Sequence, residues 1–158
     1  MKSLFFLPAL LGLAFSHPAA PSELDTRAAP QIAHFFFQAA ATGYNLTVPA
    51  DGNWYPTNNG LNVNIITALD FTVTQCEFAT HQPVAYNYQL SGDLPYPKEQ
   101  FAVGPPQPID RVRCWGYCLQ VYDDCVRNGQ FVGTCCNGFC AANKCRPYVY
   151  PQDIPWPN

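Results

Sequence analysis

The chain has 158 residues, of which 48% are hydrophobic, 15% aromatic and only 12% charged, with a formal net charge of −3. Apolar content at that level excludes a wholly disordered polymer, and the negative balance gives no electrostatic footprint for nucleic acid. The length allows one small domain, or one domain with an appendage, once a leader is set aside.

At the N-terminus one lysine precedes an apolar run from Leu4 to Phe15, and Ala14 and Ser16 stand at the small-residue positions of a cleavage site. Residues 1–16 therefore read as a secretory signal peptide. No segment offers the roughly 18 unbroken apolar residues of a membrane-spanning helix, so no membrane span is expected. The expected location is secreted and extracellular. Residues 17–30, HPAAPSELDTRAAP, lack hydrophobic periodicity and read as a flexible leader, or as a propeptide trimmed after Arg27.

Residues 31–113 carry a period of two. IAHFFFQA is apolar on both faces and suits a central or covered strand. In YNLTV, Tyr44, Leu46 and Val48 share a face; in LNVNI, Leu61, Val63 and Ile65; in LDFTVTQ, Leu69, Phe71 and Val73; in VAYNYQL, Val84, Tyr86, Tyr88 and Leu90. Alternation at this period is the pattern of half-buried strands. Turn-forming clusters separate the runs: Pro49 to Gly52, Asn58 to Gly60, Ser91 to Asp93 and Gly104 to Pro106. The expectation is an all-β fold, a small antiparallel β-sandwich or barrel, with almost no helix. Asn45-Leu46-Thr47 is a glycosylation sequon. With Tyr44, Leu46 and Val48 facing inward, Asn45 faces water, where a glycan has room.

From Ala28 to Ile109 there are five acidic residues and one basic; from Asp110 to Arg146 there are three acidic and five basic. The charge thus changes sign where the cysteines begin. All but one of the eight cysteines lie at 114–145: Cys114, Cys118, Cys125, Cys135, Cys136, Cys140 and Cys145, with Cys76 alone upstream. In an exported chain an even number of cysteines reads as disulfides. Eight allow 105 pairings, and about 90 remain once a bond between the neighbours Cys135 and Cys136 is set aside as strained. In all of these Cys76 bonds into the cysteine-rich segment. If the strand pattern continues, Cys76 lies with Asp70, Thr72 and Thr74 on the outer face, and that segment covers the sheet exterior.

The stretch CLQVYDDCVRNGQFVGTCCNGFCAANKC, residues 118–145, resembles a knottin, or inhibitor cystine knot, with intercysteine loops of six, nine, zero, three and four residues. The resemblance implies bonds Cys118 to Cys136, Cys125 to Cys140 and Cys135 to Cys145, which leaves Cys76 with Cys114. A second register of the same resemblance starts at Cys125, places Val132 where a cysteine belongs and leaves Cys118 outside the knot. Residues 114–146 are accordingly expected to form a knottin-like module and 147–158 a tail rich in proline and aromatics. More broadly, a signal peptide, a β-patterned region with one cysteine and a cysteine-rich end resemble the small secreted cysteine-rich proteins of filamentous fungi, many of them effector candidates. That likeness implies a role in virulence or competition.

No catalytic constellation emerges. The chain lacks a Gly-x-Ser-x-Gly elbow. His34, Glu77, His81 and Arg111 supply the residue types of a ribonuclease with nothing in their spacing to assemble them. Asp123 and Asp124 are adjacent and should diverge. No Cys-x2-Cys knuckles suggest zinc, and no cofactor is expected. The expectation is a non-enzymatic secreted interaction protein, effector-like, meeting a host or competitor extracellular protein or a cell-wall glycan. Arg127, Phe139, Lys144 and Arg146 are the candidate presenters on the rigid module, with Tyr150 and Trp156 on an extended polyproline-type tail. Alternatives are a cell-wall carbohydrate binder, a knottin-type protease inhibitor or antimicrobial protein, and a small hydrolase or ribonuclease.

Overall fold

A computed structural model describes residues 29–149. The segment read as a signal peptide, nearly all of the segment read as a leader, and Tyr150 and Trp156 in the tail lie outside the described residues. Twelve strands and one 3-10 turn make up the regular structure, with no α-helix among the described residues. None of their segments is a helix long and apolar enough to cross a membrane.

Five antiparallel strands form the larger sheet: β1 (Ile32–Ala39), β2 (Thr42–Pro49), β4 (Val63–Ala68), β6 (Ala85–Leu90) and β7 (Glu99–Gln107), in the order β2-β1-β4-β7-β6. The smaller sheet is β3 (Tyr55–Pro56), β8 (Ile109–Cys114) and β5 (Cys76–Thr80), in the order β3-β8-β5. Pro108 alone separates β7 from β8, so the chain passes from one sheet to the other there. Their inner faces share one core. Phe35 and Phe37 from β1 and Ile66 from β4 meet Phe78 from β5 and Ile109 and Val112 from β8. Phe78 stands edge-on to Phe35, Phe37 and Phe101 at centroid distances of 5.6, 6.1 and 6.1 Å, the arrangement that aromatic quadrupoles favour. The all-β antiparallel fold expected from the alternation is observed, and of the two forms expected, sandwich or barrel, the two separate sheets over one core are the sandwich.

Strand β2 follows the reading closely: Val48 is buried, Tyr44 and Leu46 are half-buried, and Asn45 and Thr47 are exposed. In β1 the inward set Ala33, Phe35, Phe37 and Ala39 is buried, and His34, Phe36 and Gln38 on the other face are half-buried.

Elsewhere the period-two reading needs correction. Leu61 is exposed and precedes β4, and Ile65 sits opposite Gln38, on the outer face; Ile66 and Ala68 point inward instead. A register shift between Val63 and Ile65 lets Val63 stay buried. LDFTVTQ is a bend and a 3-10 turn (Val73–Gln75), not a strand. Phe71 and Val73 are buried there, but so is Thr72, whose hydroxyl donates to Glu99 Oε2 at 2.6 Å. In β6, Tyr88 is 47% exposed because β6 is an edge strand.

The expectation that Cys76 faces outward is likewise overturned. Cys76 opens β5, is buried, and pairs across the smaller sheet with Cys114, the last residue of β8, at a Cα separation of 4.1 Å. The bridge therefore joins two neighbouring strands of the sandwich, and the cysteine-rich segment is not drawn over the sheet exterior by it. The irregular turn before β5 resets the alternation, which is why counting on from Phe71 gave the wrong face.

Three further bridges follow: Cys118 to Cys136, Cys125 to Cys140 and Cys135 to Cys145. These are the pairings that the first register of the knottin resemblance implies. The segment also contains two hairpins, β9 (Val126–Arg127) with β10 (Gln130–Phe131) and β11 (Gly138–Ala141) with β12 (Lys144–Pro147). The first turns on Asn128-Gly129, both at positive φ, as a tight two-residue hairpin turn requires. In the second, a Cβ at Gly138 would clash with the Arg146 carbonyl oxygen, so only glycine permits that strand approach.

Sulfur also docks the segment. Cys118 and Cys136 belong to the sandwich core, whereas Cys125, Cys135 and Cys145 form a separate small cluster against Leu119. Two amides complete the attachment. Gln31 Oε1 accepts from the Cys118 N–H at 2.9 Å. Asn137 Oδ1 accepts from the Glu99 N–H at 2.8 Å while its Nδ2 donates to the Ala68 carbonyl at 3.1 Å.

Candidate recognition surface and cavity

Pairing of β11 with β12 places Phe139 opposite Arg146 and Ala141 opposite Lys144, so Phe139, Lys144 and Arg146 share one hairpin face. Their ring and cationic groups are anchored locally. The Arg146 guanidinium lies 5.6 Å from the Tyr122 ring centre, and the Phe139 ring is 5.8 Å from that of Tyr148. Lys144 Nζ contacts Asp124 Oδ1 at 2.6 Å, and Arg127 Nε is 3.8 Å from Asp124 Oδ2. Asp124 thus ties Arg127 on β9 to the second hairpin. The hydrogen bond from Lys144, followed by its charge, holds the Asp124 carboxyl below the ordinary carboxylate range. Asp123 turns away and accepts from the Gln120 N–H at 2.9 Å, so the two neighbouring carboxylates diverge. Beside this face Phe131 is 65% and Val132 47% exposed. Four of the six residues expected to present a surface are brought into one region; the other two, Tyr150 and Trp156, lie outside the described residues.

A second polar and aromatic patch was not anticipated from sequence. On the smaller sheet the guanidinium groups of Arg111 and Arg113 lie 4.8 and 4.7 Å from the Trp54 ring centre. Arg113 also donates twice to Glu77 Oε2, at 2.9 and 2.6 Å. Gly52, Glu77, Arg113 and Trp115 line a shallow depression there. The relevant signal is the i, i+2 spacing of Arg111 and Arg113, which puts both on one strand face.

His34 and His81 take separate partners. His34 Nδ1 meets Asp70 Oδ2 at 2.5 Å, and His81 Nδ1 meets Asp110 Oδ2 at 3.3 Å. Glu77 is committed to Arg113 and Arg111 to Trp54, so the residue types of a ribonuclease are distributed among different pairs. The Sγ atoms of Cys125, Cys135 and Cys145 lie within 4.8 Å of one another. That closeness is the packing of two bridges, whose sulfurs are oxidised and offer no thiolate.

Where the two regions meet there is a cavity of about 410 Å3, lined from the sandwich by Leu69, Asp70 and Tyr96 to Lys98, and from the cysteine-rich side by Gln120 to Tyr122, Cys136, Asn137 and Pro147. The described lining contains no serine, threonine or free thiol. Close to the seam, burial pushes the Glu99 carboxyl above its ordinary range, against the opposing hydrogen bonds from Thr72 and the Val73 N–H. Tyr88 is pushed up as well, by burial first and then by its hydrogen bond with Tyr148. The sequence holds one hint of this seam: Lys98 is the only basic residue from Ala28 to Ile109.

No protein-family model matches the chain, and no curated protein or solved structure matches it.

Proposed function

We propose that this is an exported, non-enzymatic recognition protein, effector-like in the manner of small secreted cysteine-rich proteins, whose knottin-like C-terminal segment meets an extracellular protein of a host or competitor. The observation that carries this reading is the shared face of Phe139, Lys144 and Arg146, linked to Arg127 through Asp124 and backed by three disulfides. A surface held in place before contact loses less conformational entropy on binding, and an arginine beside exposed aromatics is the composition of binding hot spots.

The test is saturable binding of the oxidised full chain to extracellular proteins of a candidate host, against the double variant Phe139→Ser, Arg146→Glu. The expected result is a partner retained by the native protein and lost from the variant, with unchanged circular dichroism. Equal retention by both proteins, or by neither, overturns the proposal.

A second reading rests on the depression at Trp115, which is 39% exposed beside the planar Arg113–Glu77 pair. An open indole next to fixed hydrogen-bonding groups suits a sugar ring of a cell-wall glycan. Retention on insoluble chitin or β-glucan that disappears in Trp115→Ala favours it, and native protein that washes through removes it.

A further inference from the structure

We propose that the cavity at the seam binds a small amphipathic organic acid, with the apolar body between Tyr96 and Tyr122 and the carboxylate on Lys98. The volume, about 410 Å3, lies within the range of small-molecule sites, about 300–1,000 Å3, which are mostly apolar with a few convergent polar groups. Leu69, Tyr96, Pro97, Val121, Tyr122 and Pro147 supply the apolar part. Tyr96 and Tyr122 are 61% and 62% exposed, so large ring surface remains uncovered beside the opening.

The polar lining identifies the charge of the ligand. Asp70 is already engaged: its Oδ1 accepts from the His34 N–H at 3.0 Å, and its Oδ2 is 2.5 Å from His34 Nδ1. A carboxylate only accepts, so Nδ1 carries that proton. Both ends of the Asn137 amide are taken by the Glu99 N–H and the Ala68 carbonyl. Gln120 Nε2 lies 3.4 Å from Cys136 Sγ. Lys98 is different. Its Nζ donates to the Leu69 carbonyl at 2.8 Å and makes no ion pair with any described carboxylate. An ammonium has three donors, so two remain for a ligand, at a half-buried position where an ion pair is stronger than in open water. The adjacent Glu99 forms no ion pair with it; Glu99 Oε2 instead accepts from the Thr72 hydroxyl and the Val73 N–H. A cation without a counter-ion beside an apolar hollow selects an anion with an apolar body, and disfavours an amine.

This site is separate from the hairpin face proposed for protein recognition. Failure of the Phe139, Arg146 double variant to alter partner binding leaves the cavity untouched, and the reverse also holds.

The test is isothermal titration of the oxidised full chain with 1-naphthoate, its neutral amide 1-naphthamide and the cation 1-naphthylmethylammonium. The expected result is saturable one-to-one binding of the acid, with the amide weaker by about tenfold, the effect of one charge-assisted hydrogen bond, and no detectable binding of the amine. Lys98→Met should lower affinity for the acid to that for the amide, and Lys98→Arg should retain most of it. Should Lys98→Met fail to fold, the three ligands on the native chain decide by themselves. Absent binding of the acid, equal affinity for acid and amide, or a folded Lys98→Met that keeps native affinity for the acid overturns the proposal.

Discussion

The two parts of the molecule reach a fixed structure by different physics. Between the sheets, Phe35, Phe37, Phe71 and Ile66 are fully buried, and aromatic rings from both sheets interlock around Phe78. Past Cys114 the small separate cluster of Cys125, Cys135 and Cys145, with Leu119 against it, is the only buried nucleus among the described residues that is distinct from the sandwich core. About thirty residues have too much surface for their volume to sustain a hydrophobic core, and crosslinks restrict the unfolded chain instead. One consequence concerns recognition. With sulfur holding the frame, Phe131, Val132 and Phe139 are free to remain at the surface, where a core-dependent module would have drawn them inward.

Both regions depend most on the shared core. Phe35→Ala should cost about 3–5 kcal/mol, because a fully buried ring leaves a cavity under both sheets. Urea unfolding should show both regions lost in one transition, since Cys118 and Cys136 belong to the same core. Next comes the docking bridge. Replacing Cys118 and Cys136 together by Ala should cost about 3 kcal/mol from the loop term, plus lost core packing. Hydrogen exchange should then accelerate at Asn137 and throughout β11 and β12.

The peripheral bridge sharpens the contrast. Cys125→Ala with Cys140→Ala removes a crosslink of comparable loop length, about 3 kcal/mol, yet Cys125 lies outside the sandwich core. Amide exchange should rise in the hairpins while Phe35 to Phe37 remain protected. Equal loss of protection in β1 would show that this bridge supports the sandwich as well as the hairpins.

The smallest effect is a pH dependence at Glu99. Its folded carboxyl sits above the ordinary value of 4.5, so the native state keeps a proton that the unfolded chain has already released. The stability it contributes is complete below about pH 4.5 and declines as pH rises through the higher folded value. Glu99→Gln stays neutral throughout. Thermal melts of the native protein should therefore fall relative to Glu99→Gln between pH 4.5 and neutrality, and parallel curves would remove the assignment.

Much of this organisation was legible in the residues themselves, and the failures have identifiable causes. Strand β2 could be read residue by residue because one face is covered from Tyr44 to Val48, half-buried at Tyr44 and Leu46 and buried at Val48, while Asn45 and Thr47 between them stay exposed. Period two failed from Leu69 to Gln75, where a bend and a 3-10 turn bury Thr72 beside Phe71 and Val73 through a hydrogen bond to Glu99, 27 residues away. Gln31 and Asn137, the two amides that dock the cysteine-rich region, have no pattern around them at all. Their role depends on carbonyl and N–H groups from distant strands.

Local chemistry, then, determined what repeats or pairs: side-chain alternation along a strand, turn residues between strands, and an even set of cysteines in a chain that begins with an apolar leader. Tertiary structure alone decided that Cys76 faces inward to Cys114, that Arg111 and Arg113 flank Trp54, and that Lys98 borders an apolar cavity without a carboxylate partner. The physical reason is range. Alternation and turn preference act within a few bonds, whereas burial and charge pairing depend on which distant strands the sandwich happens to bring together.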